Sequence, residues 1–174
     1  MSAFEPLPSF DFREVEHLTF GTVGLPGQRA FYFQVRAAGA LVTLKIEKQQ
    51  VGALSEYLLE LMADLSDTGP IPEDRELEEP FDSAWTAGSL GVTYDEVTDR
   101  IIIVAEPFVP DADDDAPPLA QARFYITREQ ATALAARGSD LVEAGRPPCP
   151  LCGHPLDPRG HACPRTNGNQ PPLP

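Results

Sequence analysis

The chain has 174 residues and a mass of 18.9 kDa, enough for one domain of ordinary size or a domain with a small appendage. With 27 acidic residues against 13 Lys and Arg, the net charge is −14, which argues against a surface for nucleic acid or anionic membrane. No run approaches the roughly 18 apolar residues of a membrane span, and Met1-Ser2-Ala3-Phe4-Glu5-Pro6 lacks the basic stretch and apolar core of a signal peptide, so a cytoplasmic location is expected.

The first predicted strand covers residues 17–24, and Leu25-Pro26-Gly27 supplies turn chemistry after it. Phe31, Phe33 and Val35 alternate with Tyr32, Gln34 and Arg36, the pattern of a half-buried strand. Gly39 marks a turn, and Val42, Leu44 and Ile46 alternate with Thr43, Lys45 and Glu47. Then the period changes: Val51, Leu54, Leu58, Leu61 and Leu65 form one helical stripe. Residues 85–94 read as extended again, followed by a turn through 95–99. Ile101-Ile102-Ile103-Val104 is apolar at every position, which predicts a central strand covered on both faces. After a third strand over 123–127, Thr127 and Gln130 fit a capping box for a helix whose stripe is Ala131, Leu134, Leu141 and Val142, interrupted by Gly138.

This order of elements is a repeat. Thr19-Phe20-Gly21-Thr22-Val23-Gly24 matches Thr86-Ala87-Gly88-Ser89-Leu90-Gly91 at an offset of 67. Residues 44–54 match residues 124–134 at an offset of 80, the difference falling in the acidic loop 110–118 and the neighbouring turn. The expected fold is therefore α+β: an internal duplication of a βββα unit, with copies at about 17–65 and 84–143 within a domain spanning 1–145. Two such units can pair about a pseudo-twofold axis, and the glycines at 21–24 and 88–91 suggest close backbone approach or a bulge. The acidic stretches 73–79 and 111–115 sit among prolines and read as solvated connections. Asp113, Asp114 and Asp115 could offer oxygen ligands, but the interleaved spacing and glycine of a calcium loop are absent.

From Arg146 onward the chain carries three arginines and one acid, so this tail is +2 and the remainder −16. Within it, Cys149-Pro150-Leu151-Cys152-Gly153 is a zinc-knuckle pattern: thiolates at i and i+3 converge on one ion, and the glycine permits the turn that aims amides at the sulfurs. His161 and Cys163 lie on one side of an extended segment and could complete a tetrahedral site. His154 competes with His161 as the fourth ligand, and His161 is preferred because His154 is bound into the knuckle turn. The expected metal set is Cys149, Cys152, His161 and Cys163, holding a structural zinc in a ribbon-like tail over 146–174 whose last residues are flexible.

No phosphate loop, dinucleotide fingerprint or His-Glu-x-x-His motif occurs. Ala87-Gly88-Ser89-Leu90-Gly91 resembles a nucleophile elbow, but the repeat puts Ser89 in an extended segment and not at a strand-to-helix turn. His17 reads as a surface or edge residue, and Trp85, Phe31, Tyr32 and Phe33 read as core. The residual candidate is Lys45, Glu47 and Lys48 with Gln49 and Gln50, near Arg29 or Arg36, where a Lys–Glu pair beside a helix N-terminus could bind phosphate or act as acid and base. Two functions follow: a non-catalytic, zinc-binding adaptor or regulator, or an enzyme or phosphate-ligand binder using Lys45, Glu47 and Lys48.

Residues 21–32, 43–50 and 85–88 and the tail 149–165 together resemble an actinobacterial family of uncharacterised repeat proteins, the domain-of-unknown-function 3090 family. The resemblance implies a pathway shared with a kinase-like and a phosphatase-like protein partner. It implies no activity.

Overall fold

The computed structural model describes residues 6–25, 27–65, 68–73, 76–111, 117–145, 147–154, 156 and 161–166. The expectations for Asp113, Asp114, Asp115 and the last residues of the tail fall outside these. In chain order the elements are β1 (Phe10–Phe12), β2 (His17–Val23), β3 (Ala30–Ala37), β4 (Ala40–Ile46), α1 (Lys48–Asp64), β5 (Trp85–Asp95), β6 (Arg100–Pro107), β7 (Ala122–Ile126) and α2 (Arg128–Glu143). The fold is mixed α+β, with one seven-stranded sheet in the order β1-β7-β6-β5-β4-β3-β2. Each half runs as three antiparallel strands and a helix, and both helices begin where the period of the apolar residues changes.

The two halves join head to tail. β4 and β5 are parallel neighbours through Leu44↔Trp85 and Lys45↔Thr86, with Ala84 N–H donating to the Thr43 carbonyl at 2.8 Å. The halves do not stack as separate sheets. Instead the last strand of the first half meets the first strand of the second, through a parallel crossover that α1 spans. β1, which the repeat does not contain, adds parallel to β7 with Phe10↔Ala122 and Phe12↔Phe124.

The sheet is strongly curled. Three strands separate β3 from β7, about 19 Å in a flat sheet, yet the rings of Phe33 and Phe124 meet edge to face at 5.5 Å between centroids. Phe20 packs on Phe33 at 5.3 Å and Phe12 on Phe124 at 6.2 Å, so aromatic rings from both ends of the sheet fill its concave side. α2 closes the opening: Gln130 Nε2 donates to the Val15 carbonyl at 2.8 Å and Arg137 Nε to the Phe20 carbonyl at 3.2 Å. Its N-terminus carries the expected capping box, with Gln130 N–H donating to Thr127 Oγ1 and Thr127 N–H to Gln130 Oε1. Gly138, which interrupts the apolar stripe, lies against Ser55 and Phe20, where a Cβ would collide with both.

Two expectations change on the outer face. The acidic stretch 73–79 is not simply a solvated connection, for its described part straps across the first half. Gln34 Nε2 donates to the Glu78 carbonyl at 2.8 Å and Gln34 Oε1 accepts from Glu78 N–H at 2.7 Å, while the Arg36 guanidinium grips the Glu78 carboxylate with two donors. Leu77 fills the space over Gly21 that a side chain would occupy, and beneath the strap Thr19, Gln34 and Thr43 are buried. In the second half, β6 is covered fully on one face only. Ile101, Ile103 and Ala105 are buried, but Ile102 and Val104 on the outer face are half-buried.

Candidate metal centre

After α2 the chain forms a small unit with an apolar cluster of its own. Leu156 is 3% exposed and packs with Cys149 and Cys163, both buried, and with Cys152 at the margin. The local fold is a narrow hairpin: Cys149 N–H donates to the His154 carbonyl at 2.7 Å, and Leu156 N–H to the Pro147 carbonyl at 2.8 Å. Its tip closes when Gly153 N–H reaches the Cys149 carbonyl at 2.8 Å, with Gly153 at φ +75°, a left-handed conformation suited to glycine.

That turn aims backbone amides at sulfur. The N–H groups of Leu151 and Cys152 face the Cys149 thiol, and His154 N–H faces Cys152. Burial pushes the Cys149 thiol up, but those two amides, with the side chains of His161 and Cys152, outweigh it and bring it down from 9.0 to about 6. Cys152 moves upward, first through burial and then through its contacts with Cys163 and Cys149, against the His154 amide. The second ligand pair arrives from the returning segment. Cys163 is fixed by its own carbonyl, which accepts from Thr166 N–H at 3.1 Å and Thr166 Oγ1 at 2.9 Å.

The donor atoms of Cys149, Cys152, His161 and Cys163 all lie within 4.8 Å of one another, so these four side chains could hold a metal ion. Cys149 and Cys163 sulfurs are 4.0 Å apart, and Cys152 Sγ is 3.6 Å from His161 Nε2. His154 supplies its carbonyl to the hairpin and sets its ring edge-on to His161, at 6.5 Å between centroids.

The other residues singled out in the sequence occupy different surroundings. Lys45, Glu47 and Lys48 are exposed. Glu47 is the N-cap of α1, its N–H donating to Gln50 Oε1 at 2.9 Å, and Gln50 Nε2 reaches across to the carbonyls of Ala87 at 3.3 Å and Gly88 at 3.2 Å. Lys48 Nζ lies over Gly145, and Arg29 Nη1 donates to the Ala144 carbonyl at 3.1 Å, so two cations converge on the C-terminal end of α2. α2 has no basic residue in its last turn; that is the signal by which a need for outside cations was readable and was missed. Arg36 is held by Glu78. Ser89 lies in the extended β5 beside a register shift, donating to Glu106 Oε2 at 3.2 Å, and the Gly88 Cα faces the Phe108 backbone so closely that a Cβ would meet it at 2.8 Å. Trp85 is buried and donates to the Pro8 carbonyl at 2.9 Å.

A family model described as protein of unknown function (DUF3090) matches residues 10–163, and the chain belongs to that family. A search of the curated proteins finds no match.

Proposed function

We propose that this member of a family without an assigned activity is a non-catalytic, zinc-binding adaptor or regulatory protein of the cytoplasm. The observation that carries the reading is the convergence of three thiols and one imidazole in a unit too small to fold on apolar burial. Zinc fits the donor set. Tetrahedral coordination with Zn–S of about 2.3 Å and Zn–N of about 2.0 Å requires S–S separations of roughly 3.8 Å and S–N of roughly 3.5 Å, against 4.0 and 3.6 Å here. Cys149, Cys152, Cys163 and His161 would hold the ion, which when bound supplies a cross-link between the hairpin and the returning segment in place of a larger core. Four protein ligands fill a tetrahedral shell and leave no position for a reacting water, which favours a structural metal over a catalytic one.

The adaptor reading draws on two further features. A body of charge −16 carries a tail of charge +2, so the two parts present different surfaces to a partner. The order strand-strand-strand-helix, occurring twice with matching sequence at residues 19–24 and 86–91, supports a duplicated βββα unit with a ribbon-like zinc tail attached. Kinase-like and phosphatase-like proteins are the partners suggested by family resemblance.

Native mass spectrometry of the purified protein should find one zinc per chain, lost in Cys149→Ser and in Cys163→Ser. Metal-free protein whose tail amides are as protected as in the metal-loaded form would refute the assignment. Co-purification from native extract should recover a stoichiometric protein partner, and its consistent absence would remove the adaptor role.

A further inference from the structure

Among the described residues, the join between the two halves leaves a strand edge without a backbone neighbour in the middle of the sheet. β5 is 11 residues long, but only Trp85 and Thr86 pair with β4, because β4 ends at Ile46 and the chain turns into α1. On its other edge β5 is paired with β6 as far as Asp95. Among the described residues, positions 89–95 thus meet a backbone partner on one side alone. Gln50 marks where pairing stops, its side-chain amide occupying the carbonyls of Ala87 and Gly88.

A cleft of about 530 Å³ opens beside this edge. Its strand wall is Ser89, Leu90 and Val92, and its helix wall is Gln50, Ala53, Leu54 and Tyr57 of α1. Tyr57 is 50% exposed, a large ring at the mouth of an apolar slot. An extended segment placed here would satisfy the β5 edge with its backbone and set alternate side chains against Leu90, Val92 and Tyr57.

The charge around the cleft selects the occupant. Helical periodicity carries Glu60 and Asp64 along the same face of α1 as Ala53 and Tyr57, with Glu56 beside them, and all three acids are exposed. The one base of α1, Lys48, is turned to the end of α2. Across the slot, Ser89 is bonded to the carboxylate of Glu106. We propose that the β5 edge and the α1 face together form a docking site for an extended, basic segment of another protein, added as a further strand beside β5. The inference deepens the adaptor reading and rests on it for the segment's belonging to a partner. Whether the site takes such a segment is a property of this chain alone.

The test uses the full chain, metal loaded, as bait for random decapeptides displayed on phage, with Tyr57→Arg as the counter-selecting bait. Tyr57 is half exposed, so the arginine leaves the core intact while adding charge and bulk at the mouth; Ala53→Arg serves if that variant fails to fold. Sequences of net positive charge with alternating apolar residues should be enriched at least tenfold over the variant. One enriched peptide, added in solution, should slow hydrogen exchange of amides within 88–95 at least tenfold. Enrichment equal on both baits, selection of acidic or proline-rich sequences, or exchange unchanged in 88–95 would overturn the site. So would a dimer in sedimentation that Tyr57→Arg dissociates, since a second copy would then be the occupant. A failed selection leaves the pull-down result standing, and a failed pull-down leaves the peptide result standing.

Discussion

At Gly138 a Cβ would collide with Ser55 Oγ and lie 3.0 Å from the Phe20 ring. The hydrogen of glycine therefore sets how closely α1 and α2 approach, over the ring that caps the concave core. Gly138→Ala is expected to lose about 1–3 kcal/mol in urea unfolding by overpacking. The loss should shrink in a Ser55→Ala background, where the Oγ is gone and its bond to the Val51 carbonyl with it; an equal loss in both backgrounds would mean the contact is not the cause. Ala38 is the opposite case, a side chain where none is favoured: it stands at φ +50° beside Gly39 at +75° in the two-residue turn between Ala37 and Ala40. Ala38→Asn should raise stability by up to about 1 kcal/mol, because asparagine tolerates this left-handed turn better than alanine. The sequence displays Gly138 as a gap in a stripe, but its partners come from the other half of the chain, so the reason for the gap becomes visible only when the helices are packed.

Strands and helices were legible wherever burial follows the local period. β3 and β4 alternate because one face meets the core, and α2 begins at Thr127 because the threonine and Gln130 satisfy each other's backbone groups. What failed was the outer face. Gln34 falls on the polar face of the alternation and reads as solvated, yet it is 1% exposed beneath a strap that arrives from residues 76–80. No period within β3 can reveal a cover supplied by a distant loop. Gln34→Ala should loosen the strap, accelerating exchange of the Glu78 amide at least tenfold with a loss of about 1–3 kcal/mol. Unchanged protection at Glu78 would show that Leu77 and Arg36 suffice. The β5–β6 turn gives a pH dependence at the same scale. Asp99 accepts from Tyr94 Oη at 2.7 Å and from Arg128 Nε at 2.8 Å, and these two bonds hold its carboxyl below the usual range. A carboxylate lowered in the folded state contributes stability that is complete above its unfolded pKa, near 4, and is lost as the pH falls through its folded value. The melting temperature should therefore drop as the pH is lowered from 5 toward 2, and Asp99→Asn should flatten part of that fall.

For the molecule as a whole, the body and the tail stand on different physics. The body has one continuous core that draws on all seven strands' concave side and both helices, whereas the tail's apolar cluster is Cys149, Leu156 and Cys163 with Cys152 and, among the described residues, shares none with it. The tail's donor cluster was readable in the sequence because ligand chemistry restricts residue type as well as spacing: only a few side chains bind a soft divalent ion, and the three cysteines and two histidines within 15 residues leave only the imidazole to be chosen. The head-to-tail join of the halves was not readable, since two residue pairs make it and nothing in Leu44, Lys45, Trp85 or Thr86 names the neighbour. The absence of shared core predicts independent behaviour on metal removal. A strong chelator at neutral pH should raise hydrogen exchange across Cys149, Gly153, Leu156 and Thr166, whose backbone bonds define the tail. The main thermal transition of the body should stay within about 2 °C, as the core that sets it has lost no contact. Leu156→Asp, which places a charge at the one aliphatic position among the described residues of that cluster, should reproduce the chelated exchange pattern without chelator. A body that melts much earlier once the metal is stripped would show that the two parts are coupled through contacts outside both clusters, and the division of the molecule into two stability units would have to be withdrawn.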